Sequence, residues 1–303
     1  MIYRIYNYHT LIFFILALFS LSFKIETSLF TSLVCFLLIL TVGISHGALD
    51  NIKGKKILKI YKIKNMILFY VTYILISLTI LILWNLLPTA TLLLFLIVAS
   101  YHFGKEDSNC LKFKKSLLFN LIFLFRGFLI IFAPLYFSFN ETINIFQILN
   151  FDQNILNFLD YNSKIVSVFF YLSLLSNIFF LVEELRYNYK HVLCDLISIV
   201  ILNATLPPLI AFTVYFCFLH SLRHSISLIK MLNNKNFIKG TQIFVKKALP
   251  LTILTALLYL FAVGFLSSSN DLNDTILKVV FIGLASLTFP HILLEYLIEK
   301  NER

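Results

Sequence analysis

LFTSLVCFLLILTVGISHGAL, residues 29–49, runs into Asp50 and then into NIKGKKILKIYKIKN, residues 51–65. The first stretch is 21 residues without a formal charge. That is enough for an α-helix to cross a hydrocarbon layer roughly 30 Å thick. The second carries Lys53, Lys55, Lys56, Lys59, Lys62 and Lys64. Cytoplasmic segments beside membrane spans are enriched in Lys and Arg, so the lysine-rich stretch orients the span and every element after it.

Composition agrees with that reading. The chain has 303 residues, 59% of them hydrophobic and 13% charged, with a mean hydropathy of +0.89. A soluble domain is about 45–50% apolar and about 25% charged, so this one has too little polar surface to face water. Only 8 Gly, 6 Pro and 4 Cys are present, which excludes collagen, disorder and a disulfide scaffold. The 33 Phe, together with abundant Ile, Lys and Asn, also match an AT-rich coding sequence and count as background.

Nine further apolar runs lie at 10–23, 66–87, 88–103, 116–139, 164–182, 191–205, 208–228, 248–266 and 275–297. The expected fold is therefore all-α: a polytopic membrane bundle of about ten helices (eight to ten), one integral membrane domain over 1–303, both termini cytoplasmic. The first run is short. The seventh contains Asp195 and stops before Pro207-Pro208, which cannot continue a helix. With residues 51–65 inside, 21 of the 25 Lys and Arg are cytoplasmic; Lys24, Lys164 and Lys278 are outside and Arg126 is within the fifth span. The net charge of +10 then reflects orientation and attraction to anionic inner-leaflet lipid rather than nucleic-acid binding. No small-residue cleavage site precedes Lys24, so the first span is expected to be retained. Residues 140–163 are expected to form an outer loop with an interfacial helix. Cys35, Cys110, Cys194 and Cys217 show no C-x-x-C spacing and are expected to be apolar fillers.

Histidine placement is the informative feature. Of the seven, His9 and His191 open spans, where an imidazole costs little. The other five lie within spans: His46 in SHGALD, His102 in SYHFGKED, His220 and His224 in FLHSLRHS, and His291 in FPHILLEY. An ionisable group inside a membrane helix faces a partner or a cavity rather than lipid. A single buried histidine is often just an interhelical hydrogen bond. Five from four helices, each near a cytoplasmic helix end in this topology, need a common cause. His220 and His224 are four residues apart and share one face of a helix, a spacing that suits one metal ion. With His46 and His102, four imidazoles converge, a donor set for a borderline ion such as iron, zinc or copper. Asp50, Glu106 and Glu295 each follow a histidine by four and could accept its second ring N–H. Equally, Asp50 and Glu106 could be interfacial charges. Arg223 reads as a snorkelling cation, and Arg126 as a side chain requiring a buried partner. No nucleophile elbow, P-loop or glycine-rich dinucleotide motif is present, which leaves metal-assisted chemistry on a lipid-soluble substrate as the enzymatic option.

HGALD at 46–50, Y-H-F-G-x-x-D at 101–107, H-S-x-R-H at 220–224 and Pro290-His291 resemble the Brp/Blh family of membrane β-carotene 15,15′-dioxygenases, over residues from about 40 to 297. The resemblance implies cleavage of the central double bond of β-carotene with O2 to two molecules of all-trans-retinal, destined for microbial rhodopsins. It implies non-haem Fe(2+) held by His46, His102, His220 and His224, with Asp50, Tyr101, Asp107, His291 and Glu295 around the metal or in the substrate pocket. The role of His291 stays open: supporting donor, pocket residue, or a packed ring satisfying a carbonyl freed by Pro290. The implied location is the inner or plasma membrane, with the metal near the cytoplasmic face and the substrate arriving from the bilayer. Two alternatives remain. A di-iron desaturase or hydroxylase would need about eight histidines with H-H pairs, and this chain has seven and none. A transporter with a histidine relay would favour inverted repeats, and none is evident. Iron stoichiometry separates the three.

Overall fold

The computed structural model describes residues 2–108, 117–184, 189–268 and 271–301. Cys110, Lys112, Lys114, Lys115, Arg186 and Arg303 of the sequence reading lie outside the described residues, as do the side chains of Arg4 and His46. All regular structure among the described residues is helical. Among the described residues, seven helices are long and apolar enough to cross a membrane.

The chain begins with α1 (Ile2–Ser20), followed by α2 (Leu29–Leu38). From Leu29 the helix does not stop at the expected span end. It passes through a π-helical segment (Ile39–Gly43) and a 3-10 segment (Ile44–Leu49) into α3 (Asp50–Ile60). Most of the lysine-rich stretch is thus helix rather than loop, with Ile57 and Leu58 buried on its inner face. α4 (Met66–Leu86) and α5 (Pro88–Glu106) follow, the latter opening on proline at its first turn, where a missing N–H costs nothing.

α6 (Leu117–Phe137) pairs closely with α5. A Cβ on Gly104 would collide with the Phe123 backbone carbonyl, and one on Gly127 with the Ser100 carbonyl. Small residues at a membrane-helix crossing allow this backbone approach. The stretch 140–163 forms two short helices, α7 (Phe139–Ile148) and α8 (Gln153–Tyr161). Asn150 turns between them at φ 62°, and the Asp152 side chain caps α8. α9 (Ser163–Glu184) and α10 (Tyr189–Thr205) come next, and Pro207-Pro208 breaks the chain as expected, α11 (Pro208–Val214) restarting at Pro208.

α11 continues through a second π-helical segment (Tyr215–Ser221) into α12 (Leu222–Leu232). The chain closes with α13 (Phe237–Leu266) and α14 (Leu272–Asn301). π segments frequently mark functional positions in helices because the i→i+5 pairing widens the turn and re-aims side chains. Here one immediately precedes the His46 turn and the other contains His220.

Candidate metal centre and apolar cavity

Three helices bring four histidines into ring contact. His102 of α5 lies 5.2 Å, centroid to centroid, from His220 and 5.4 Å from His291 of α14. His224 of α12 lies 5.9 Å from His291. His102, His220 and His291 are buried, with His220 only 1% exposed. The backbone of the His46 turn borders the same group: a Cβ on Gly47 would sit 4.0 Å from the His291 Nδ1.

Each of three imidazoles is oriented by a carboxylate, and the carboxylate comes from a different helix. His220 Nδ1 donates to Asp107 Oδ1 at 3.1 Å, and His224 Nδ1 to Glu106 Oε2 at 3.1 Å. His291 Nδ1 lies 2.9 Å from both Asp50 oxygens. An ionised carboxylate only accepts, so the proton belongs on Nδ1 and the lone pair on Nε2. The same-helix pairs suggested by the i+4 spacing are replaced where they are visible: Glu106 serves His224, not His102, and Glu295 pairs with Lys53.

Two tyrosines complete the network, Tyr215 donating to Asp107 at 2.6 Å and Tyr73 to Asp50 at 2.9 Å. Neither carries a motif, so nothing in the sequence marks them. Lys53 belongs to the network too. It is buried, pairs with Glu295 and lies 3.2 Å from His224 Nε2. In the sequence it reads as one more orienting lysine.

Tyr101 stands apart. Its hydroxyl donates to Asn120 at 3.2 Å, at an exposed position on the α6 side. Arg223 does not snorkel: it is 6% exposed and grips buried Asp195 with two bonds of 2.7 and 3.0 Å, one nitrogen also reaching Thr10. Arg126 finds its buried partner in Phe180, 4.9 Å below its guanidinium. The two histidines set aside as interfacial are tethers for α1: His9 Nε2 donates to the Phe218 carbonyl at 2.8 Å in the π segment, and His191 pairs with Thr10 at 3.0 Å.

A cavity of ≈ 280 Å³ ends on His102, His220 and His291. Its other walls are mostly apolar and aromatic, among them Phe69 and Ile74 of α4, Phe103 and Phe216, and Leu254 and Leu258 of α13, with Asp50, Asn51, Tyr73, Thr255 and Thr288 as polar exceptions. Ile74, Leu254 and Leu258 are exposed on the outer surface of the bundle, so the cavity runs from the buried rings to the gap between α4 and α13.

The donor set fits a divalent metal of borderline softness. Neutral imidazoles with carboxylate-held Nδ1 atoms are the usual orientation for ligation through Nε2. Among the described residues, one ligand atom each from His224, His291 and Glu295 lie within 4.8 Å of one another.

Fold and site together define an all-helical chain of membrane-spanning character that buries an imidazole–carboxylate cluster at the end of an apolar cavity. The profile of the beta-carotene 15,15'-dioxygenase family matches residues 37–299, and the chain belongs to that family. It is 30% identical over 258 residues to a beta-carotene 15,15'-dioxygenase from uncultured marine bacterium 66A03, covering 85% of this chain and 90% of that protein. No solved structure matches it.

Proposed function

We propose that this chain is a single-domain, multi-pass enzyme of the cell membrane that cleaves the central 15,15′ double bond of β-carotene with O2. The double bond is broken and each of its carbons takes one oxygen atom, giving two molecules of all-trans-retinal for a microbial rhodopsin. The observation that carries the reading is the buried imidazole cluster at the inner end of a mostly apolar cavity that opens between α4 and α13 among exposed apolar side chains. Family membership narrows the substrate class.

In this reading ten helices span the bilayer, both termini are cytoplasmic, and α1, α5 and α10 are spans alongside the seven longer helices. His46, His102, His220 and His224 hold Fe(2+), with His291 beside them. Bound iron supplies the activation of O2 that a closed-shell polyene cannot provide for itself.

The chain's own residues do the rest. Asp107, Glu106 and Asp50 accept from Nδ1 of His220, His224 and His291 and so leave Nε2 as the lone-pair nitrogen of each; on His224 that nitrogen lies 3.2 Å from Lys53 Nζ, which a metal held there would displace. Phe103, Phe216 and the leucines of α13 exclude water and hold the polyene by contact area alone. No polar group in the apolar wall could anchor a hydrocarbon, so position along the cavity selects the bond.

Expression in a β-carotene-accumulating host, with HPLC of the carotenoids and metal analysis of the purified protein, tests the proposal. Retinal formation with one iron per chain is expected, lost on chelation and restored by Fe(2+). Unchanged β-carotene alongside folded, iron-loaded protein overturns it.

A further inference from the structure

A second cavity, ≈ 80 Å³, lies among α5, α6, α7, α11 and α14. Among the described residues, Phe103 alone lines both cavities. The divide is aromatic: Phe103 meets Phe216 at 6.2 Å, and Phe216 stacks at 5.5 Å on Phe212, which belongs to the second cavity. Phe103 also packs edge-on to His220 at 4.7 Å. The second cavity therefore begins behind the rings at which the first one ends.

Its walls include Ala99, Leu96, Ile145, Phe146 and Phe212, and its one hydroxyl, on Thr142, is already spent on the Ser138 carbonyl. Nothing in it can bind a polar ligand. An apolar void lined by close-packed side chains stays dry and takes apolar guests.

Resting on the dioxygenase reading above, a polyene cut at its middle must extend equally far on both sides of the reacting bond. The first cavity accommodates one side only. At ≈ 280 Å³ it lies just below the roughly 300–1,000 Å³ that holds an ordinary small ligand, well short of a whole tetraterpene. We propose that the second cavity, at ≈ 80 Å³ smaller than the first, is the start of the subsite for the far arm of the carotenoid, with Phe103 as the divide that must turn aside for the arm to pass and widen it. Its depth sets which double bond comes to rest beside the histidines.

Two substitutions that shorten the subsite test this: Ile145→Phe on α7, remote from the histidines, and Ala99→Leu on α5. Retinal, unequal apocarotenal products and bound iron are measured together in a β-carotene-accumulating host. Filling an apolar subsite by a few carbons discriminates by about tenfold or more. The expected result is iron retained, retinal reduced by that factor, and any residual cleavage displaced from the central bond to give two unequal products. Wild-type retinal as the sole product in Ile145→Phe, or retinal lost only together with iron in both variants, overturns the subsite. Absence of retinal from the unsubstituted protein sinks the dioxygenase reading instead, so the two failures are distinct.

Discussion

His291 Nδ1 sits 2.9 Å from both carboxylate oxygens of Asp50, a residue 241 positions earlier in the chain. The bond ties the C-terminal helix to the turn that follows His46, and both partners are buried. Tyr73 donates to the same carboxylate, so Asp50 holds two donors from two different helices. Replacing it with Asn keeps the shape and removes the charge that holds Nδ1–H. Loss of the outer partner of a ligating imidazole costs about 10–100-fold in metal affinity or activity, and His291 stands in ring contact with two of the proposed ligands, His102 and His224. Asp50→Asn is expected to fall in that range, read as iron per chain and retinal per hour, with the protein still in the membrane fraction. Full iron content and full rate would remove Asp50 from the site.

The α5–α6 crossing is set by Gly104 and Gly127, where backbones touch. A methyl group on Gly127 would run into the Ser100 carbonyl, two residues before His102. Overpacking of this kind costs typically about 1–3 kcal/mol. Gly127→Ala is expected to lower the thermal midpoint of the detergent-solubilised protein and to reduce retinal formation by displacing His102. An unchanged midpoint would mean that the helices separate without penalty.

Arg223 and Asp195 form a bidentate ion pair almost wholly out of solvent. Removing one partner from such a pair costs about 3–5 kcal/mol, because the other charge is left buried and unmatched. Asp195→Ala should therefore reduce folded yield and melting temperature sharply. The double variant Asp195→Leu with Arg223→Met should recover much of the loss. Failure of the double variant to improve on the single one would show that the charge is needed for more than pairing.

Tyr101 makes the opposite prediction. Its hydroxyl lies on the outer side of α5 against Asn120, and the cavity walls do not include it. Tyr101→Phe is expected to leave retinal formation within about twofold, as for surface substitutions of roughly 0.5 kcal/mol or less. A tenfold loss in kcat with normal folding would place Tyr101 at the site after all.

Much of the architecture was readable from hydropathy because a bilayer forces it: backbone groups in hydrocarbon must pair within their own segment, so apolar runs become helices. The break at Pro207-Pro208 and the burial of His102, His220 and His291 follow from equally local physics. Helix continuity was harder to see. The lysines after Asp50 look like a loop because charge marks the water phase, yet α3 prolongs the span across that boundary with Ile57 and Leu58 facing inward. Arg223 illustrates the same limit, since its position beside His224 cannot reveal that Asp195 waits on α10.

From the sequence alone came the helical membrane character, the histidines worth burying and the face that His220 and His224 share. Tertiary structure alone decided which carboxylate serves which imidazole, that Lys53 is drawn into the cluster, and that an apolar cavity ends on the rings. The reason is geometric. Residue spacing along a helix determines the direction in which a side chain points, because the helical repeat is local. What it meets there depends on which helix packs opposite, and that is settled by glycine contacts, π segments and side-chain volumes distributed across the whole chain.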